Sequence, residues 1–226
     1  MKQITVVHCW SAPRSRSTAL LYSFEARGDD CVTLDEPHYR AWLNKCPPGS
    51  LSRPYLSSLI SGTPPKGSPP ENAFKWEREK LSFEERVREA ANGLPDGGLI
   101  FCKDISKFAE VYDWNNEIKL DDIELIHKHV LLVRDAVAVL SSWGAAGNVH
   151  GDNPTTVEVG IIPLLNIYST LQSRGHTDVF VLDAEELVAD PPAALKALCK
   201  GVGAEYKESM YVRKNTELSS LCDLSI

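Results

Sequence analysis

Ile4-Thr5-Val6-Val7-His8-Cys9-Trp10 runs directly into Ser11-Ala12-Pro13-Arg14-Ser15-Arg16-Ser17-Thr18 and then into Ala19-Leu20-Leu21-Tyr22-Ser23-Phe24. The three pieces read as a strand, a tight polar loop and the start of an apolar helix. A loop at a helix N-terminus offers unpaired backbone N–H groups and the positive end of the helix dipole, so it favours an anion. Arg14 and Arg16, with the hydroxyls of Ser15, Ser17 and Thr18, add charge-assisted donors, each contributing about 1.5–3 kcal/mol. Pro13 presets the turn into the loop. A plainer reading is a Ser/Thr helix cap beside two surface arginines. The loop has no glycine and no lysine before its Ser/Thr, so it is not GxxxxGK[ST]. That weakens an ATP- or GTP-hydrolysing reading.

Outward from this unit, four more runs have strand length: Cys31–Leu34, Gly98–Cys102, His129–Val133 and Val179–Leu182. Helical patterns fall between them over Ser17–Arg27, Glu77–Asn92, Ala136–Ala145, Thr155–Ser173 and Pro192–Val202. Continuous apolar runs without alternation indicate strands covered on both faces. The β-α order predicts a three-layer α/β/α domain with a mainly parallel five-stranded sheet. Ligands then belong at the carboxyl ends of the strands. Residues 1–226 read as a single domain without internal repeats. Residues 46–72 hold half of the fourteen prolines and form an excursion, read either as a substrate lid or as a disordered loop.

The 226 residues are 43% hydrophobic, enough for a sizeable core, and carry a formal net charge of −7. An acidic chain is a poor general ligand for nucleic acid or an anionic membrane, so neither partner is expected. No apolar run is long enough to span a bilayer, and Met1–Trp10 lacks the features of a signal peptide. The six cysteines are scattered, with no CxxC pair. A reduced, cytoplasmic setting is the expectation, and the sequence leaves a homodimer open.

Pro13-Arg14-Ser15-Arg16-Ser17-Thr18 resembles the 5′-phosphosulfate loop of sulfotransferases, P-[KR]-S-[GR]-[ST]-[ST]. Arg134-Asp135 followed by Ser142 resembles that family's 3′-phosphate site, an arginine at a strand end with a serine eight residues on. Such a pair can face one pocket, because a helix rises only 1.5 Å per residue. Leu182–Pro191 with its following apolar helix is similar to the family's late strand-to-helix signature, where Asp190-Pro191 starts a helix by capping. The resemblance implies a sulfotransferase using 3′-phosphoadenosine 5′-phosphosulfate (PAPS) as co-substrate, with no metal required. It implies that Arg14 lies at the bridging oxygen, that Ser15, Arg16, Ser17 and Thr18 wrap the 5′-phosphate, and that Arg134 and Ser142 hold the 3′-phosphate. Where the family has lysine as a proton donor, Arg14 supplies charge only, since arginine stays protonated. Arg213-Lys214 is similar to the family's Arg-Lys segment but lacks the glycines that follow it there. The short chain without a leader points, within the family, to a cytosolic enzyme with a small-molecule acceptor, of hydroxyl or amine type.

In-line sulfuryl transfer, treated by analogy with phosphoryl transfer, needs a base for the acceptor proton and cations at the leaving group. Glu36, in Leu34-Asp35-Glu36-Pro37-His38, is the candidate base, with His38 the alternative. Against this stands a structural role for Asp35 and Glu36 as carboxylates at a helix N-terminus. Lys103 closes the third strand and is a candidate cation and proton donor, or else a partner of Asp104 or Asp35. His127 and His129 flank Lys128, and the spacing offers no third metal ligand. Two other readings stand beside the transferase. A P-loop kinase or nucleotide hydrolase would use Asp135 for magnesium, and a non-catalytic nucleotide-binding protein would keep the fold without the chemistry.

Overall fold

The computed structural model describes residues 1–46, 81–145, 156–157 and 159–211, and the elements below are numbered within them. The strands are β1 (Lys2–Ser11), β2 (Cys31–Asp35), β3 (Gly98–Ile105), β4 (Ile123–Val133) and β5 (Phe180–Asp183). The helices are α1 (Ser17–Glu25), α2 (Tyr39–Lys45), α3 (Phe83–Gly93), α4 (Ala136–Ala145), α5 (Ile161–Ser173), α6 (Ala184–Ala189) and α7 (Pro191–Val202). A 3₁₀ turn, Ser106–Val111, follows β3. The sheet has the order β2-β3-β1-β4-β5, and each neighbouring pair is parallel. This is the three-layer, P-loop-like α/β fold.

β1 lies in the centre, and its side chains alternate between two cores. Val7 and Cys9 pack with Leu20 and Phe24 of α1 and with Leu195 and Leu198 of α7. Ile4 and Val6 meet Val87, Ala90 and Ala91 of α3, while Trp10 packs with Leu164, Ile167 and Leu171 of α5. Each buried Val, Leu, Ile or Phe among them contributes about 1.5–3 kcal/mol. Burial on both faces is why β1 shows no polar alternation.

From β1 the chain passes to β2 on one side, and after β3 it crosses to β4 and β5 on the other. The switch point therefore lies between β1 and β4, where parallel sheets open a crevice at their carboxyl ends. The loop after β1 and the Arg134-Asp135 corner after β4 flank it.

Several boundaries differ from the sequence expectations. β4 begins at Ile123 rather than His129, because β1 pairs with it along its whole length from Lys2↔Ile123. The polar residues Glu124, His127 and Lys128 hid the extension. α3 begins at Ser82-Phe83, where Ser82 and Glu85 form a reciprocal capping box, and not at Glu77, which lies outside the described residues. α1 stops at Glu25, short of Arg27, and α5 starts at Ile161 behind Gly160, whose φ of 86° is not helical; the expected start, Thr155, lies outside the described residues. The short helix α6 was not expected, and α2 was implied only by the reading of Asp35 and Glu36 as carboxylates at a helix N-terminus. Of the proline-rich stretch 46–72 only Cys46 is described, and Arg213-Lys214 also lie outside. Among the described residues no helix is long and apolar enough to cross a membrane.

Candidate functional site

Ala12–Arg16 turns the chain from β1 into α1 without a glycine. Arg14 (φ 59°) and Arg16 (φ 64°) instead take the left-handed conformation, which costs about 1–2 kcal/mol per non-glycine residue. Named contacts hold the turn. Ser15 Oγ donates to the Ala12 carbonyl at 2.5 Å, and Ser11 Oγ donates to the Asp104 carbonyl at 2.9 Å. Arg134 Nη1 donates to the Arg14 carbonyl at 2.7 Å. Gly160 backs the loop so closely that a Cβ there would lie 2.7 Å from Pro13 Cδ and 2.9 Å from Ala12 Cα. No side chain caps α1, so the helix presents its N-terminal donors to the loop, as an anion site requires.

Arg134 and Ser142 reach this loop from the other side of the switch point. Arg14 Nε donates to Ser142 Oγ at 3.2 Å. Arg134 Nε also pairs with Glu185 Oε1 of α6 at 3.2 Å. An incoming phosphate therefore competes with a carboxylate that is 52% exposed, a weak competitor. Asp135 accepts from the Ala138 N–H at 2.9 Å, so its carboxylate serves the start of α4.

A cleft of about 260 Å³ opens beside the loop. Pro13, Arg14, Ser17 and Thr18 line one wall; Glu36, Tyr39, Lys103, Ile105, Lys107, Phe108 and Trp143 line the rest. Glu36 sits in a third left-handed position, φ 45°, where its N–H donates to the Lys103 carbonyl at 2.7 Å. The Lys103 ammonium is buried 2.6 Å from Asp35 Oδ1 and 2.9 Å from Glu36 Oε1. Two carboxylates thus share one ammonium. Burial pushes the Glu36 carboxyl above its ordinary value; Lys103 opposes this, and Asp35 and Asp104 add to it. Burial alone would lower the Lys103 pKa, but Glu36 and Asp35 outweigh it and hold the ammonium above its ordinary value.

His38 lies behind the cleft wall. Its Nδ1 is 2.8 Å from Asp104 Oδ2, its backbone N–H donates to Asp104 Oδ1 at 3.2 Å, and its ring packs on Phe83 at 4.3 Å. The fold thus gathers Arg14, Ser17, Thr18, Glu36 and Lys103 around one space, with Arg134 and Ser142 joined to it through Arg14. Ser15 is fully buried and bonded within the loop. Arg16 faces a neighbouring groove with Tyr22, Leu187 and Pro191, and its buried Nε has no hydrogen-bond partner among the described residues. The sequence reading missed Tyr39 and Lys107 as cleft residues; Lys107 follows Lys103 by four residues at the end of β3, a spacing that could have drawn attention to it. It also missed the supporting role of Asp104. Spacing along the sequence offered His127 and His129 no third ligand, whereas the fold brings Glu117 and His176 to His129 from distant segments.

Comparison with known proteins bears on the fold and the family. Residues 4–69 match the family model described as a sulfotransferase domain. Over 206 residues (91% of this chain) the chain is 34% identical to branched-chain-amino-acid aminotransferase-like protein 2 of Arabidopsis thaliana. It spans only 31% of that relative's length. Among solved structures it is similar to the sulfotransferase domain from the Synechococcus PCC 7002 olefin synthase, with TM-score 0.56 and 19% identity, covering 93% of this chain and 77% of that one. It is similar in the same way to the sulfotransferase domain from the curacin biosynthetic pathway, with TM-score 0.55 and 18% identity over 93% and 77% of the two chains. At these identities the structural likeness establishes the fold alone; the match to the sulfotransferase domain model covers residues 4–69.

Proposed function

Taking assignment to the sulfotransferase family as the premise, we propose that this chain transfers a sulfuryl group from PAPS to a hydroxyl or amine of a small-molecule acceptor. The observation that carries the reading is the shared cleft. A strained, arginine-bearing phosphate loop faces a carboxylate of raised pKa and a buried lysine across one opening at the carboxyl edge of the sheet. Glu36 takes the acceptor proton as the new bond to sulfur forms. Arg14, Lys103 and the N–H groups of the loop stabilise the charge left on the phosphate as its bond to sulfur breaks. A carboxyl raised by burial is a better base near neutrality than an exposed one. His38 and Asp104 position the Glu36 turn. Arg134 and Ser142 receive the 3′-phosphate, Arg134 exchanging Glu185 for it. The name of the Arabidopsis relative describes a protein about three times as long, so it does not bear on the chemistry of this cleft.

Calorimetric titration with adenosine 3′,5′-bisphosphate, against ATP plus magnesium, tests the reading. We expect metal-independent binding of the bisphosphate, weakened at least about tenfold in Arg134→Ala, since a hydrogen bond to a charged group contributes about 1.5–3 kcal/mol. Glu36→Gln should bind normally and fail to turn over. Binding of ATP with magnesium but not of the bisphosphate would favour a kinase. Tight bisphosphate binding with no transfer to any acceptor tried would favour a non-catalytic binding protein.

A further inference from the structure

We propose that Glu117, His129 and His176 form a binding site for a divalent transition metal, of which zinc fits the ligands best. The three residues come from separate segments: the loop before β4, the middle of β4, and the link between α5 and β5. One ligand atom from each lies within 4.8 Å of the others. His129 Nε2 and Glu117 Oε1 are already 3.5 Å apart, whereas donors about 2.0–2.1 Å from a tetrahedral zinc lie about 3.4 Å from one another. Closing the remaining gap, at most about 1.4 Å, is within reach of side-chain rotation.

An independent observation points the same way. The His129 side chain is only 2% exposed, and its Nε2 makes no close hydrogen bond among the described residues; its nearest acceptor is Glu117 Oε1, at a long 3.5 Å. A contact that long leaves a buried nitrogen poorly satisfied, and a metal bond shared with Glu117 would satisfy it. His176 is held at both backbone groups: its N–H donates to the Leu171 carbonyl at 3.1 Å, and Gln172 Nε2 donates to its carbonyl at 3.1 Å. Glu117 is 32% exposed and His176 half-buried, so the site opens to solvent on the side away from His129. Two imidazoles and a carboxylate with one open position suit zinc better than calcium or magnesium, which prefer all-oxygen ligands. Binding has one local cost. A neutral ring ligated through Nε2 keeps its proton on Nδ1, so Trp10 Nε1 gives up its 3.4 Å contact with that nitrogen. The contact is longer than the usual 2.7–3.2 Å, and its loss makes Trp10 a reporter.

His129 precedes Arg134 by five residues, about 16 Å along an extended strand. The ion would therefore clip three segments behind the donor site and take no part in transfer. Zinc and cobalt(II) titrations of the chain without a histidine tag test the proposal, read by calorimetry, tryptophan fluorescence and cobalt visible absorption. We expect one ion per chain, a fluorescence change, the visible bands of low-coordinate cobalt and a rise in Tm with zinc. In His176→Ala and in Glu117→Gln, both at half-buried positions, the affinity should fall at least about tenfold and the Tm rise should vanish. Absence of stoichiometric binding, or equal binding by wild type and His176→Ala, would overturn the assignment.

Discussion

Replacing Lys103 by methionine removes the ammonium that lies 2.6 Å from Asp35 and 2.9 Å from Glu36, while keeping most of the stem's volume. Breaking a fully buried pair costs about 3–5 kcal/mol. Asp35 is 57% exposed and keeps its hydration, whereas Glu36 is 30% exposed. The expected loss near neutrality is therefore about 2–3 kcal/mol, or about 4–12 °C in Tm for a chain of this size. The loss depends on pH, and its sign follows from the carboxyl. Burial already holds Glu36 above its ordinary value of 4.5, and the opposing influence of Lys103 disappears in the variant. The native variant then binds more protons than its unfolded chain between that ordinary value and the raised one, so its stability falls as pH rises through this window. Relative to wild type, the deficit should be largest near neutrality and shrink on acidification. Denaturant unfolding of wild type, Lys103→Met, Glu36→Gln and the double variant between about pH 5 and pH 8 reads it directly. Glu36→Gln should relieve part of the Lys103→Met deficit. A deficit equal at both ends of the range, or undiminished in the double variant, would refute the shared-ammonium account.

Arg16→Gly removes a side chain from a left-handed position whose φ is 64°. Relief of about 1–2 kcal/mol of strain, less the added entropy of the unfolded chain, should leave stability unchanged or up to about 1 kcal/mol higher by denaturant unfolding, while affinity for adenosine 3′,5′-bisphosphate falls. Gly160→Ala places a Cβ 2.7 Å from Pro13 Cδ at a φ of 86°. It should destabilise by about 1–3 kcal/mol and weaken nucleotide binding, both read by ligand-dependent thermal shift. Asp104→Asn leaves His38 without its carboxylate and loosens the turn that carries Glu36. Turnover in a transfer assay should fall with little change in bisphosphate affinity, whereas an equal loss in both would show general unfolding instead.

Much of this protein was legible in one dimension, because the signals concerned are local. The unbroken apolar run Ile4–Trp10, followed by Pro13–Thr18 and Ala19–Phe24, specifies a buried strand, a polar turn and a helix through side-chain burial and backbone hydrogen bonding. Repetition of that pattern specifies a parallel sheet. Arg14, Glu36 and Lys103 could be singled out because Arg14 and Glu36 lie just past strand ends and Lys103 in the last residues of β3, and strand ends in such sheets share one edge. What the sequence could not decide depends on pairing between segments far apart in the chain. β4's six extra residues are strand because β1 pairs with them, although their polar alternation did not mark a fully buried strand. His38 and Glu36 are separated by one residue, yet Asp104, sixty-six positions from His38, turns the histidine away from the cleft. Glu117, His129 and His176 have no spacing that announces a site; they meet because α5 and the loop before β4 pack on the same strand. Local propensity and burial pattern set the elements, whereas the contacts that hold Arg14, Glu36 and His129 in place span the chain, and only the packed sheet could supply them.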